Sequence, residues 1–487
     1  MPLSSPTPHV VVVGAGISGL AAAHALVASR EPGTPLEVTV LETSDRPGGK
    51  LLTVDLDGMP IEAGADSFVV RKPWAVELCQ ELGLAEEVVI TGSWGAFVWT
   101  RGKLIAYPDR SPFGIPSDVG DLLGWQGLPR GPKLRAALDL VRPARRDPAD
   151  EALGALLRRR LGARASRVLV EPLLGGLHAG DPMRLSVLAT FPELKAWETK
   201  HGSLLRGAKA AVGAAGEEKG HKPMFATLWG GLSTVVNRLI DSIGPDRVRL
   251  VQPVETIGRV GGGFSIRPAG NGGPPVAADA VILATPAHET ARLLEALNPS
   301  AANELSEIPY ASTAVVFLAY KPGTASRLPQ GTGLVVPAGE ATITACTWVS
   351  RKWPRQEFGG RAVLRCFVGR AGAGQAMDLS DDELIAVVAR EVERMTPIGA
   401  EPSASRVVRW DRSMPQYEVG HLDRVGRIES SLSETPGLFV TGSAYQGVGI
   451  PDCIRQGREA ADGVLHYIYE HGPTSADEPH REAAWKS

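Results

Sequence analysis

The sequence predicts an α/β part on a parallel, dinucleotide-binding sheet joined to an α+β part on an antiparallel sheet. Three observations carry that reading. A strand-like run at residues 10–13 feeds Gly14-x-Gly16-x-x-Gly19, and a second strand at 37–41 closes on the acid Glu42. Far away, Leu438-Phe439-Val440-Thr441-Gly442-Ser443 is again a short apolar strand ending in glycine, and Gly447-Val448-Gly449-Ile450-Pro451 follows at a helix start. Between them, alternating segments at 314–320, 341–349 and 362–368 have the two-residue period of an antiparallel sheet.

Each glycine of the first motif answers a physical need. Gly14 permits a tight turn, Gly16 lets backbone approach a pyrophosphate, and Gly19 lets the helix pack on the strand; Ala15, Ile17 and Ser18 complete the loop, whose N–H groups face phosphate charge. Glu42, followed by Thr43, can accept ribose hydroxyls. The rival reading of residues 10–28 as a membrane helix is set aside, because β-branched residues crowd before the glycines and helix formers after them. A second glycine turn follows in Arg46-Pro47-Gly48-Gly49, then Lys50, and Gly64-Ala65-Asp66-Ser67 lies in a turn-rich stretch.

Residues 111–215 turn helical. Leu134, Leu138 and Val141, then Leu153, Leu156, Leu157 and Leu161, recur at helix spacing. The run Arg158-Arg159-Arg160 is read as a solvated face. A strand is expected at 248–254, a hairpin and loose loop at 261–275, and a helix at 381–395 opened by the capping box Ser380-x-x-Glu383. Pro451 sits where the last helix would begin. That helix N-terminus would favour negative charge by about 0.3 to 1 kcal/mol, which suits a reduced flavin ring. The tail, 473–487, is polar and expected to be mobile.

At 487 residues the chain is too long for one core. A net charge of −3 gives no general pull toward nucleic acid or anionic membrane. Cys79, Cys346, Cys366 and Cys453 have no metal-ligand spacing, so no metal site is assigned and a reduced, cytoplasmic setting is expected. No basic cluster precedes the first apolar run, against a signal peptide.

The set Gly14 to Gly19, Glu42, Arg46-x-Gly48-Gly49 and Gly442 to Ile450 resembles the flavin-dependent amine oxidase and protoporphyrinogen oxidase superfamily. Glu171-Pro172-Leu173-Leu174, Ala179-Gly180-Asp181, Thr190-Phe191-Pro192, His201-x-Ser203-Leu204, Lys352-Trp353-Pro354, Ser413-Met414-Pro415-Gln416-Tyr417 and Gly447-Val448-Gly449-Ile450-Pro451-Asp452-Cys453-Ile454 look like the porphyrinogen oxidases. The later blocks are most similar to the coproporphyrinogen oxidases of Gram-positive bacteria. The resemblance implies a GR2-type flavoprotein fold. Its expected parts are a Rossmann-like FAD-binding domain (1–75, 225–298 and 420–472), an antiparallel-sheet substrate domain (76–110 and 299–419) and a helical insertion (111–224).

It also implies noncovalent FAD against Gly14, Ala15, Gly16, Ile17, Ser18, Gly19, Glu42, Thr43, Arg46, Gly49, Lys50, Gly64, Ala65, Asp66, Ser67, Val254, Trp410, Gly442, Val448, Gly449 and Ile450. Val254 would pair its backbone with adenine, and Trp410 would offer an indole N–H and a flat face. The implied activity is oxygen-dependent oxidation of coproporphyrinogen III in heme synthesis, with protoporphyrinogen IX as the alternative substrate. An amine oxidase or a flavin-free binding protein is a remoter reading. Porphyrinogen and dioxygen are the partners, with a ferrochelatase downstream, no nucleic acid, and membrane contact peripheral at most.

Aromaticity of the product drives proton loss, so no catalytic base is assigned. His178 stands where that family shows an aromatic residue; it is the one histidine to weigh as proton acceptor, against the stronger expectation of a hydrogen-bonded structural histidine. Cys453 could attach a flavin, but reads better as a small apolar residue. Arg71 and Lys72 are the expected partners of substrate carboxylates at the cavity mouth, weighed evenly against an exposed pair.

Overall fold

The computed structural model describes residues 7–29, 35–145, 147–214, 224–270, 273–353, 356–372 and 374–472. The expected mobile tail and Pro354 lie outside the described residues. A five-stranded parallel sheet organises the nucleotide end: Val248–Arg249, Glu37–Leu41, His9–Val13, Ala280–Leu283 and Leu438–Val440 lie side by side in that order. Val10 and Val12 point into one core and Val11 and Val13 into another, so the first strand is buried on both faces. Helices Ile17–Ala28, Ser233–Ile243 and Ile450–His471 cover the first face. The second is covered by the three-stranded sheet Val254–Val260, Gly263–Pro268, Val276–Ala278 and by helices Ala287–Leu294, Pro299–Ser306 and His421–Leu432.

The expected strand at 248–254 is two strands. Val251 has φ +55°, and this kink ends Val248–Arg249 before Val254–Val260 starts a different sheet. Helix Trp74–Glu81, which straddles the expected boundary at 75/76, buries Ala75, Leu78 and Cys79 in the core of the parallel sheet.

The antiparallel expectation is met by a seven-stranded sheet in the order Ala404–Pro415, Tyr310–Pro322, Arg361–Val368, Ile343–Trp348, Gly333–Val335, Phe97–Thr100, Lys103–Ala106, with one parallel pairing at Gly333–Val335 and Phe97–Thr100. Helix Asp381–Met395 packs on it, and both hydrogen bonds of the Ser380/Glu383 capping box are present.

The helical region departs from its sequence reading in two ways. Leu134, Leu138 and Val141 face solvent, at 62%, 53% and 76% exposure. Their helix, Arg130–Ala137 with the turn Leu138–Leu140, buries Ala136 and Asp139 instead. The reason is Arg160, which is fully buried rather than solvated. Its Nε donates to Asp139 Oδ1 at 2.5 Å and Nη2 donates to the Asp139 and Gly202 carbonyls at 2.7 Å. Arg159 joins Glu151 and the buried Glu198, so only Arg158 fits a solvated face. Among the described residues no helix is long and apolar enough to cross a membrane.

Candidate functional site

Three stretches far apart in sequence meet at the C-terminal ends of the parallel strands, where open α/β sheets bind ligands. At Gly14, φ is +104° and a Cβ would lie 2.8 Å from the Ala284 carbonyl, so a side chain cannot be fitted. At Gly16 a Cβ would meet no protein atom within 4 Å, so the space on that side of the backbone is open, as an approaching pyrophosphate requires. Glu42 accepts hydrogen bonds from Ala15 N–H at 2.7 Å and Ser44 N–H at 2.9 Å, which fixes its carboxylate across the glycine turn. The second glycine turn leans on the first: Gly48 N–H donates to the Ala15 carbonyl at 2.7 Å, and Arg46 Nη2 donates to the Gly49 carbonyl at 2.8 Å. Thr43 is exposed beside them.

Lys50 and Gly64 cross so closely that a Cβ on Gly64 would collide with the Lys50 carbonyl, which accepts from Ala65 N–H at 3.0 Å. Trp410 reaches the same segment, but its indole N–H donates to the Ala63 carbonyl at 2.9 Å. The N–H expected to serve a cofactor is thus committed to protein. The Val254 carbonyl likewise already accepts from Arg292 Nη2 at 2.8 Å, and its side chain is buried in a core.

The C-terminal stretch completes the cradle. Gly442 and Gly447 have φ +134° and +123°, and helix Ile450–His471 starts after Gly449 with no side chain capping its N–H groups. Tyr417, to which the sequence reading gives no role, pins this loop: its hydroxyl donates to the Ser443 carbonyl at 2.7 Å and accepts from Gly447 N–H at 3.0 Å, and its ring stacks on His421 at 3.9 Å. An open glycine turn, an acid fixed across it by two backbone N–H groups and a helix start without a side-chain cap lie together here, and exposed N–H groups of this kind suit a phosphate-bearing ligand.

A family model described as flavin containing amine oxidoreductase matches residues 17–465. The chain belongs to this family. Within it, the chain is 36% identical over 467 residues to a coproporphyrinogen III oxidase of Bacillus subtilis, covering 95% of this chain and 98% of that one. It is 34% identical to the enzyme of that name from Propionibacterium freudenreichii, covering 98% and 94%. A solved structure from Exiguobacterium, titled as a candidate protoporphyrinogen oxidase, superposes with a TM-score of 0.83 at 33% identity, covering 95% and 99%. Cyclohexylamine oxidase from Brevibacterium oxydans, at 19% identity and a TM-score of 0.70, shares the fold. The chain is therefore a flavin-dependent oxidoreductase of the porphyrinogen oxidase group.

The residues proposed from sequence for substrate separate in this family frame. Lys72 Nζ donates to both oxygens of Asp452 at 2.6 Å, in the first turn of the last helix and beside Gly447 and Gly449. Arg71 instead makes an open surface pair with Glu193 at 3.4 Å. His178 is buried against Phe191 and Tyr417, with ring centroids at 5.7 and 6.0 Å. It is not the hydrogen-bonded histidine expected: Nδ1 has no partner, and burial, with His421 nearby, pushes its pKa down to about 4. It packs as an aromatic ring does, edge-on to Phe191. The Cys453 thiol is buried and pushed up to about 11, so it is a poor nucleophile. Cys346 and Cys366 face each other across adjacent strands with sulfurs 3.5 Å apart, a pairing that cysteine spacing alone does not reveal.

Proposed function

We propose that the chain binds FAD noncovalently and oxidises coproporphyrinogen III to coproporphyrin III, with dioxygen as terminal acceptor. What supports the reading is the near full-length agreement with relatives named for that reaction, joined to the meeting of an open glycine turn, an acid and an uncapped helix start. Loss of six electrons from the four-methylene macrocycle takes three dioxygen molecules and gives three hydrogen peroxide. FAD, when bound, supplies the two-electron acceptor for each step.

The protein's part is to bind, orient and keep its own groups inert. The turn containing Gly14, Gly16 and Gly19 would hold the pyrophosphate, Glu42 a ribose, and Val448, Gly449 and Ile450 the ring through a helix start. A buried, high-pKa Cys453 leaves the cofactor unattached. His178, neutral at pH 7, presents an uncharged wall, and pyrrole protons leave without a strong base as aromaticity develops.

Lys72 is the cation that this reading assigns to a substrate carboxylate. Its pairing with Asp452, and that of Arg71 with Glu193, favours one second reading: charge already compensated suits the dicarboxylate protoporphyrinogen IX better than a tetracarboxylate. Acid precipitation tests the cofactor assignment. All the yellow colour should pass into the supernatant as FAD; colour kept in the pellet would show a covalent link, and a different flavin in solution would refute FAD.

A further inference from the structure

We infer that Arg365 and Lys352, two cations carried by the antiparallel sheet side of the molecule, are positioning residues for the cofactor, acting through the segment 63–67; the inference rests on the FAD reading above. Arg365 sits mid-strand in Arg361–Val368, between buried Leu364 and Cys366, and is itself 5% exposed. A guanidinium in such a place is costly unless it is paired. Its pairing is directed at one target. Nη2 donates to the Gly64 carbonyl, Nη1 lies 3.6 Å from Asp66 Oδ1, and the guanidinium carbon stands 4.6 Å from the Phe367 ring centroid.

Lys352 grips the same segment two residues on. Its Nζ donates to Asp66 Oδ2 at 2.7 Å and to Ser67 Oγ at 3.3 Å, and it is walled by Trp353 and Phe225 at 4.8 and 5.4 Å. Ser67 Oγ also donates to Asp66 Oδ1 at 2.8 Å, and Trp410 takes the Ala63 carbonyl. The two cations hold the Asp66 carboxyl well below the ordinary carboxylate range, against the burial that would raise it.

The acceptors of Ala63, Gly64, Asp66 and Ser67 are therefore all engaged from the sheet side, while Ala65 N–H is held by Lys50 from the cradle side. A segment gripped on both flanks has one orientation, and it carries four of the residues assigned to FAD. A buried ionic cluster that served stability alone could be replaced by apolar side chains at little cost. This one aims both cations at a single loop, which makes orientation of that loop its function.

The test uses the full-length holoprotein and its apoprotein, with FAD as the titrant. In Arg365→Met and Lys352→Met the FAD dissociation constant should rise about tenfold or more, the scale of one charge-assisted hydrogen bond, and the visible flavin band should shift. Arg365→Lys, which keeps the charge and loses the fork, should fall between parent and Arg365→Met, and it decides the matter if Arg365→Met fails to fold. Variants with a lowered melting temperature but parental FAD affinity and flavin spectrum would overturn the inference and leave the cluster purely structural. A parent apoprotein that takes up no FAD would overturn the cofactor reading itself.

Discussion

At the scale of single residues, Gly14 and Gly16 do opposite work two residues apart. A side chain at Gly14 is strained by φ +104° and by the Ala284 carbonyl at 2.8 Å, whereas one at Gly16 meets open space. Gly14→Ala should therefore lower the melting temperature of the apoprotein, and Gly16→Val should leave it near parental while abolishing FAD uptake; thermal melting with and without FAD reads both. His178 supplies a pH dependence. Its folded pKa of about 4 lies below its ordinary 6.5, so its share of stability is complete above pH 6.5 and drains away as pH falls toward 4. That share is up to about 3 kcal/mol. His178→Phe should narrow the gap between melting temperatures measured near pH 7.5 and pH 5; an unchanged gap would show that other buried histidines carry it. The glycines and Glu42 were readable in sequence because their constraints are local. The packing of the His178 ring against Tyr417 and the committed indole of Trp410 depend on residues over 200 positions away, which no local pattern encodes.

At the scale of elements, helix Arg130–Ala137 is turned by charge where its sequence suggested an apolar stripe, while Leu153, Leu156, Leu157 and Leu161 of the same insertion are buried in its apolar core as their spacing predicts. Three leucine-type residues in register, Leu134, Leu138 and Val141, read as a buried stripe; the competing pull was Asp139, which Arg160, Ser203 Oγ and Leu205 N–H draw inward together. Periodicity cannot see such a bond. Arg160→Met should cost about 3–5 kcal/mol, because it leaves the buried Asp139 charge without its counter-ion, held only by Ser203 and the Leu205 N–H. Glu198 adds an acid limit. Burial raises its pKa, but hydrogen bonds from Arg159 and Arg145 outweigh this and hold it below the ordinary value near 4.5. The pair thus stabilises above that pH and is lost as pH falls through the folded value. Acid titration followed by tryptophan fluorescence should show the transition move to higher pH in Arg160→Met. By contrast helix Asp381–Met395, whose capping box and apolar spacing are both local, was legible to the residue.

At the scale of the whole molecule, the parallel sheet draws neighbours from residues 248, 37, 9, 280 and 438 in turn, and the functional loops follow from that order. The first βαβ unit and the C-terminal strand were visible as strand, glycine and helix start. Their adjacency, and the grip of the antiparallel sheet on residues 63–67, were not, since both arise from pairings across most of the chain. In the proposed reading this frame presents a tetracarboxylate porphyrinogen to FAD, with Lys72 as a carboxylate partner despite Asp452. The direct measurement is kcat/KM for coproporphyrinogen III and protoporphyrinogen IX side by side under air, in the parent and in Lys72→Met, following porphyrin fluorescence. The value should be higher for coproporphyrinogen III in the parent, and the preference should shrink in Lys72→Met, through KM. A parent that turns over protoporphyrinogen IX more efficiently would contradict this reading.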